Sequence, residues 1–570
     1  MTERIFIGVA WPYANGSIHV GQIAGAYLPA DIFARYHRIK GNDVVMVSGS
    51  DVHGTPTAIK AEQEGRAPED IAARYQQEFL EGWEKLGISY DLYTTTGTEN
   101  HAETAQDIFL KLLEKDYLYR DTVSQAYCAS CRRFLPDRYI EGTCPFCQSP
   151  NARGDQCEAC GKPLDAPDLK DARCRLCGTA PEYRDSDQYF FRLPEFRDRL
   201  VQWIETREGW RANVLNFTRA FLKEGLIDRA ITRDIDWGVP VPVEGFENKR
   251  IYVWFEAVIG YLSATKEWAK NQGTPERWRD FWLDKDTKSY YFIGKDNIVF
   301  HTILWPAMLM GYGDDYLLPR DVPANEFLTI EGKKVSTSRN WAVWLPDYLE
   351  RYDPDPLRYL LSINMPESSD SDFSWSEFVR RNNDELVATY GNLVNRVLTF
   401  TYRNYDGHIP TREEMGAGDG ELPLDDRDND MLEKSLSVME EVLGDNGLIA
   451  RCRFKQAITS AMGLAHEANR YLDEKEPWKV IKQDRARAAV SLYVTLGVIV
   501  RLKSMMYPFL PFTSQKLHEY LGFESRLEEY GLRSELPEPG RELLKPGPLF
   551  TKLAPEIAEE ESSRLGQVKD

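Results

Sequence analysis

Cysteine is missing from the first 127 residues and, apart from Cys452, from everything after Cys177. Eight of the nine cysteines fall between Cys128 and Cys177. In a chain without a secretory leader, such crowding reads as metal ligation rather than disulfide bonding. That leader is also lacking: MTERIFIGV mixes acidic and basic residues and has no signal-type apolar stretch. No apolar run approaches the roughly 20 residues that span a bilayer. The expectation is a cytoplasmic protein with no membrane association. Basic charge is in short supply, since 70 Lys and Arg against 90 Asp and Glu give a formal charge of −20. This excludes a nonspecific nucleic-acid coat, but leaves room for a local basic site where shape also fits. There is no solenoid period. What remains is a chain of 570 residues with 42% hydrophobic content, too long for one typical domain.

The pattern along the chain divides it. Residues 4–11 read as a strand. Residues 22–38 place Ile23, Tyr27, Ala30 and Phe33 near helical spacing, with Pro29 expected to bend the helix. NDVVMVSGSDVHG then gives a second strand ending in Asp51 and His53. Strand, helix and strand with a glycine-bearing first turn is the opening of a nucleotide-binding α/β fold. Helical patterns cover 68–86 and 100–119. From about 121 to 185 periodicity is lost and Cys, Pro, Gly and Arg dominate. α/β texture returns until about 355, and long amphipathic segments follow at 376–404, 429–446, 451–474, 484–506 and 512–522. The expected fold is therefore α/β: a Rossmann-like core over 1–120 and 186–325, a metal-held insertion over 121–185, a connecting region over 326–375, an α-helical bundle over 376–552, and a charged, frayed tail over 553–570.

The insertion carries four CxxC pairs: CASC (Cys128, Cys131), CPFC (Cys144, Cys147), CEAC (Cys157, Cys160) and CRLC (Cys174, Cys177). Each pair can put two thiolates on one ion, and tetrahedral Zn²⁺ takes four. Eight thiolates imply two structural zinc sites, since a complete Cys₄ shell leaves no open position for substrate. Sequence does not fix the pairing. The inner pairs are close enough for one compact knuckle, with the outer pairs closing a second site at its base.

Two polar segments carry candidate chemistry. WPYANGSIHVGQI, from Trp11 to Ile23, joins the first strand to the first helix. Ala14, Gly16 and Ser17 let backbone approach a ligand, the helix start presents free N–H groups to an anion, His19 adds a donor, and Gly21 opens the helix face. Alone it could equally be a turn with an incidental histidine. Far downstream EGKKVSTSR (331–339) offers lysines and hydroxyls after a strand, fit either to close over a triphosphate or to be an ordinary charged surface loop.

Together, HVGQ (19–22) and KVSTS (334–338) resemble the HIGH and KMSKS signatures of class I aminoacyl-tRNA synthetases. Over nearly the whole chain the resemblance is to the methionyl-tRNA synthetase family. PYANGSIH, GSDVHGTP (49–56), FLPDR (134–138), GTCPFC, RDIDWGVPVP (233–242), YVWFEAVIGY (252–261), GKDNIVFHTILWPAML (294–309) and DEKEPWK (473–479) match that family's motifs in order. The four CxxC pairs are similar to its two-knuckle, two-zinc form.

The resemblance implies ATP-dependent activation of L-methionine, with Mg²⁺ accompanying ATP. Transfer then follows to the 3′-terminal adenosine of tRNA(Met), initiator tRNA included, by an enzyme expected to be monomeric. It implies that His19, Gln22, Lys334 and Asp51 are catalytic, and that Gly21, Gly294, Asp296, Asn297, Ser336 and Thr337 contact ATP with His19, Gln22 and Lys334. Asp51 would hold the substrate ammonium. Trp11, Tyr13, Trp254, Ala257, Tyr261, Ile298 and His301 would form the methionine pocket, where aromatic walls suit a polarizable thioether. Asn392, Arg396, Pro477 and Trp478 would read the anticodon by stacking and edge contacts. The chain departs from the family in four places. Gln22 stands for the second histidine of the first motif and Thr337 for the second lysine of the mobile loop, with Lys333 or Lys295 as candidate replacements for the lost charge. Trp11 stands for a frequent leucine and Val258 for a frequent proline.

Rival readings are weaker on residues. Isoleucine, valine and leucine enzymes carry a large editing insertion, whereas about 280 residues separate His53 from Lys334, many of them used by the knuckles. Cysteinyl enzymes place a cysteine ligand near the first motif, where this chain has none. A weakened paralogue serving as an RNA-binding zinc scaffold finds support only in Gln22 and Thr337.

Overall fold

The computed structural model describes residues 2–567 apart from 155, 156, 158, 161, 163 and 165, and only the backbone of 137 and 338. The last three residues of the expected tail, 568–570, lie outside the described residues.

Strand Arg4–Val9 sends Ile5, Ile7 and Val9 into one apolar core and Phe6 into another, as the two-residue period of a strand requires. It is the centre of a five-stranded parallel sheet in the order Ala324–Asn325, Lys288–Gly294, Arg4–Val9, Asp43–Ser50, Leu92–Thr95. Numbered along the chain this is 3-2-1-4-5 read from the Leu92–Thr95 edge, the Rossmann order. One face carries helices Glu99–Glu114 and Val253–Asn271, and the other carries Leu28–Ile39 and the helical domain.

The first crossover is less regular than a helix over 22–38. A π-helical turn, Ile23–Tyr27, precedes the α-helix Leu28–Ile39. Leu28 N–H reaches back five residues to Ile23 O. Pro29 has no N–H to offer and its ring crowds the carbonyl four residues earlier, so the ladder widens before it. The Ala24 carbonyl left over accepts from Asn325 Nδ2 at 2.8 Å. The construction recurs at Phe300–Leu304, with Pro306 two residues beyond.

Residues 121–185 are more ordered than their composition suggests. Leu118–Cys128 and Glu182–Phe191 form a long antiparallel ribbon in register from Leu118 opposite Phe191 to Tyr127 opposite Glu182. Its outward face is polar, which hid the alternation. The ribbon carries a small sheet of Ile140–Thr143, Ala152–Arg153 and Lys170–Cys174.

Beyond Trp375 the chain is helical, with long helices Asp426–Leu443, Phe454–Lys475 and Arg485–Met506. Arg485–Met506 corrects the expectation about apolar runs. It has 22 residues, an 18-residue window of mean hydropathy 1.4, and that window is wholly buried in the bundle. A largely apolar helix buried on every side is here a core helix. The tail corrects a second expectation. Ile557–Arg564 is a helix, with Glu561 buried against Arg351 at 2.9 Å and the Tyr352 hydroxyl at 3.0 Å.

One buried ion cluster joins the parts. Fully buried Arg358 donates to Asp31 Oδ2 at 2.6 Å and to the carbonyls of Phe509 and Pro508. Arg35 bonds the same Asp31 oxygen at 2.9 Å, and Ser89 donates twice to the other. Burial alone would raise the Asp31 carboxyl, but the two guanidiniums and Ser89 hold it down at about 2.

Candidate active site

In this strand order the crevice opens where neighbouring strands run off to opposite sides, at the carboxyl ends of Arg4–Val9 and Lys288–Gly294. The segments leaving those ends are residues 10–22 and 294–301, and the adjacent strand Asp43–Ser50 ends in Asp51. Topology therefore gathers three stretches that the sequence singles out. Tyr13 and Asp51 meet as a parallel bridge, with Ala14 N–H on the Asp51 carbonyl at 2.9 Å.

His19 is the N-cap of the first helical turn. Gln22 Oε1 accepts the His19 backbone N–H at 3.1 Å, the return half of a capping box. Gln22 thus has a structural use of its own in capping the turn. The His19 Nδ1 is buried without a partner, and burial pushes the imidazole down to about 4. Near neutral pH it is uncharged and gives one N–H. A Cβ on Gly21 would stand 3.0 Å from His19 Nδ1, so a larger residue would press on the ring in this position.

The downstream loop lies against this turn. Val20 N–H bonds the Val343 carbonyl at 3.0 Å, Leu345 N–H bonds Ile18 O at 2.8 Å, and the Trp344 ring meets His19 edge-on at 6.0 Å. Val335 stands 3.6 Å from where a Gly21 Cβ would be. Ser336 and Trp341 pair across the loop, and Thr337–Arg339 forms its turn. Lys334 and Thr337 are exposed and Ser336 is half-buried. Of the two candidate substitutes for the missing lysine, Lys295 is tied to Glu326 at 2.7 Å and Asp370 at 2.9 Å. Lys333 lies over the Trp341 ring at 4.1 Å, with no ion pair among the described residues.

The aromatic pocket assembles from three elements. Trp254 stacks on Phe300 at 4.3 Å and 8°, and Tyr13 meets Trp254 edge-on at 5.9 Å. Tyr261 and His301 Nε2 lie 2.7 Å apart, while His301 Nδ1 lies 2.8 Å from the Asn297 carbonyl. A carbonyl only accepts, so Nδ1 carries the proton and Nε2 accepts from the Tyr261 hydroxyl. Burial lowers His301 to about 4, which keeps this neutral tautomer. Ile298 is buried and Ala257 half-buried, one turn from Tyr261 on the same helix. Trp11 lies between two glycines: a Cβ on Gly49 or Gly260 would fall 2.4 or 2.7 Å from its ring. Gly294 ends its strand, and Asp296 and Asn297 form the turn after it.

The cysteine pairs separate as the nested arrangement anticipates. Cys128, Cys131, Cys174 and Cys177 form one group and Cys144, Cys147, Cys157 and Cys160 the other. Sulfur–sulfur distances of 3.5 Å (Cys128–Cys177), 3.9 Å (Cys131–Cys174), 3.9 Å (Cys144–Cys160) and 3.6 Å (Cys147–Cys157) bracket the roughly 3.8 Å edge of a tetrahedron with 2.3 Å metal–sulfur bonds. Left-handed residues after Cys131, Cys147 and Cys177, namely Arg132, Gln148 and Gly178, turn the chain back there.

In the helical domain Arg396 stacks over Trp478 at 4.6 Å and pairs with Asp473 at 2.8 Å. Helix Phe454–Lys475 stops at Glu476, which is left-handed, and Pro477 starts a new short helix that presents Trp478 beside Arg396. Asn392 is exposed one turn before Arg396.

Sequence reasoning missed Phe300, Trp344 and Glu256, although each lies in or beside a quoted stretch. Glu256 had a usable signal: a carboxylate inside an apolar helical run demands a partner.

This arrangement of a Rossmann crevice, a histidine turn and a lysine loop defines a class I aminoacyl-tRNA synthetase. A family profile for class I tRNA synthetases (M) matches residues 5–398, and one for the anticodon binding domain of methionyl tRNA ligase matches 428–570. The methionine–tRNA ligase of Dehalococcoides mccartyi is 59% identical over 566 residues, covering 99% of this chain and all of that one. That of Thermomicrobium roseum is 52% identical, with 99% of each chain covered. A crystal structure of Mycobacterium tuberculosis methionyl-tRNA synthetase bound by methionyl-adenylate matches with a TM-score of 0.78 and 26% identity, over 96% of this chain and all of that chain. The chain belongs to the methionine–tRNA ligase family, ATP-dependent aminoacyl-tRNA ligases. Likeness over the full length does not favour the scaffold alternative.

Proposed function

We propose that the chain forms methionyl-adenylate from L-methionine and ATP and passes the methionyl group to the 3′-terminal adenosine of tRNA(Met), initiator tRNA included. The observation that carries the residue assignment is the meeting of the His19 turn, the 334–339 loop and the buried Asp51 carboxylate at one strand-order crevice beside the aromatic pocket.

The substrate carboxylate is already a nucleophile, so the protein supplies alignment and charge stabilisation. Tyr13, Trp254, Ala257, Tyr261, Ile298 and His301, backed by Trp11, hold the thioether side chain. The Tyr261 hydroxyl already donates its hydrogen bond to His301 Nε2. With that hydrogen committed, the wall offers the thioether aromatic surface and dispersion rather than a hydrogen bond. Asp51 takes the α-ammonium. His19, as a neutral donor beside the positive end of the helix, takes a phosphate oxygen as charge develops there. Gly21, Gln22, Gly294, Asp296 and Asn297 border the nucleotide, and Lys334, Ser336 and Thr337 close over the leaving pyrophosphate. Mg²⁺ enters as part of the nucleotide substrate, on its phosphates.

Each cysteine quartet suits Zn²⁺ in number, ligand chemistry and spacing. Zn²⁺ there supplies a crosslink that fixes the insertion, with no open position for chemistry. Asn392, Arg396, Pro477 and Trp478 read the anticodon by stacking and edge contacts. We assign catalysis to 1–120 with 186–325, the metal-held insertion to 121–185, the mobile loop to 326–375 and anticodon binding to 376–552. We read the chain as a cytoplasmic monomer.

Methionine-dependent ATP–pyrophosphate exchange, run with leucine and cysteine alongside, tests this reading. Exchange with methionine alone is expected, and its absence in folded protein overturns the proposal. Metal analysis is expected to find two zinc ions per chain, and chelation to unfold the insertion before the core. One zinc per chain would contradict the two-site assignment.

A further inference from the structure

The back wall of the amino-acid pocket holds polar groups that the reading above leaves unused. Glu256 lies in the first turn of helix Val253–Asn271 and is completely buried. Its Oε1 lies 2.7 Å from His53 Nδ1, and its Oε2 is buried with no hydrogen-bond partner. Asp51, two residues before His53 and 4% exposed, has an orphaned Oδ1 in the same condition. The two carboxylates feel each other: after burial, Glu256 is the main influence raising the Asp51 carboxyl. His53 is fixed from its other side by Trp237, whose ring stands 5.3 Å away and whose indole N–H bonds the Val52 carbonyl at 2.7 Å.

Such a pair is unfavourable alone. Two neighbouring buried carboxylates repel, and each unpaired oxygen has lost its water. A cation between them would relieve both defects, but among the described residues neither carboxylate meets a lysine or an arginine. The basic side chain beside them, His53, bonds Glu256 Oε1 and reaches neither orphaned oxygen, which leaves that place to a ligand cation. The walls nearby are aromatic, and the proposed amino-acid substrate carries one compact cation with three N–H donors.

We propose that Glu256 Oε2 and Asp51 Oδ1 together hold the α-ammonium of the amino-acid substrate, with His53 as a positioning residue that engages Glu256 Oε1 and so aims the free oxygen. This rests on the pocket being the amino-acid site. Asp51 then does not bind the ammonium alone. The pocket selects α-amino acids over equally apolar acids by leaving two buried oxygens unpaired when the amine is missing.

The test uses the full chain in methionine-dependent exchange, with two competitive inhibitors. Methioninol keeps the amine and lacks the carboxylate, whereas γ-methylthiobutyrate keeps the carboxylate and lacks the amine. Glu256→Gln is expected to raise the KM for methionine and the inhibition constant of methioninol by about tenfold or more, since a charge-assisted contact is lost. Inhibition by γ-methylthiobutyrate and the KM for ATP should stay within about twofold. Glu256→Asp should fall between. His53→Asn should show the same amine-selective weakening, smaller, and add little to Glu256→Gln in the double variant. A merely structural role would weaken both inhibitors together. That result, or an unchanged KM for methionine, overturns the proposal while leaving wild-type exchange, and so the functional reading, intact. Loss of methionine-dependent exchange in the wild type would instead bring down the functional reading itself.

Discussion

At the residue scale the site works with few charges. His19 and His301 are held neutral by burial, and Gln22 stands where the family places a second histidine. Gln22 is better understood from its bond than from what it replaces, because Oε1 caps the His19 N–H that no helical carbonyl can reach. Gln22→Glu should keep that cap and suit the helix N-terminus, yet set a negative charge beside the nucleotide phosphates. Thermal midpoint is expected to be unchanged or slightly higher, with the KM for ATP in exchange raised several-fold. A falling midpoint with normal ATP affinity would show that the amide nitrogen, not the cap, matters. Thr337 leaves the loop one positive charge short. Lys295 is committed to Glu326 and Asp370, so Lys333 on the Trp341 ring is the better substitute. Lys333→Ala should lower the exchange rate about tenfold or more, the scale for removing one stabilising donor near developing charge. Exchange as fast as wild type would remove Lys333 from that role. The identity of these residues was legible in the sequence because spacing preserves motifs. Their protonation and partners were not, because burial and hydrogen bonding are set by chain segments hundreds of residues away.

At the scale of elements, the boundaries that periodicity could read were those where one face meets the core. Pro68–Leu86 begins at its proline and ends at a left-handed Gly87, both visible as letters. The π-helical turns were invisible, yet the three among the described residues neighbour proposed site residues: Ile23–Tyr27 follows Gln22, Phe300–Leu304 contains His301, and Asn382–Gly391 precedes Asn392. The tail read as frayed from its charge, but its charges are used. Beyond the Glu561 contacts, Ser562 bonds Glu331 at 3.0 Å and Gly566 N–H bonds the Asn340 carbonyl at 3.0 Å, at the two ends of the lysine loop. Asp31 is the clearest case of an element joined through one residue. It accepts from Arg35 on its own helix, from Arg358 and from Ser89, and Arg358 in turn holds the carbonyls before helix Pro511–Tyr520. Asp31→Ala would strand a fully buried guanidinium, which destabilises by about 3–5 kcal/mol. Denaturant unfolding should show that drop. A loss under about 1 kcal/mol would mean that water or rearrangement satisfies Arg358.

At the scale of the whole molecule, a formal charge of −20 taken alone favours stability as acid reduces that charge. Four histidines, three of them buried and His19 half-buried, point the other way. His19 and His301 are lowered to about 4 and His37 and His101 to about 3, each chiefly by burial. Unfolding releases them to about 6.5. Between those values the unfolded chain binds more protons than the folded one, so folding stability rises with pH there. The stability tied to these groups is fully present above about pH 6.5 and is lost as pH falls toward 4 and then 3. Each contributes a slope near 1.4 kcal/mol per pH unit inside the window, or about 2 kcal/mol by pH 5. The denaturation midpoint of the ligand-free protein should therefore decline steadily from about pH 7 to pH 5. Acid also strips thiolate-bound zinc, so a second variant separates the causes. His37 lies away from both cysteine quartets, edge-on to Phe33 at 4.5 Å, with Nε2 buried and unbonded. His37→Phe removes one proton from the balance and leaves the zinc sites alone. Its midpoint should fall less steeply over the same range, by about the slope of one group. A variant that falls as steeply as the wild type would assign the acid sensitivity to the metal-held insertion instead of the histidines.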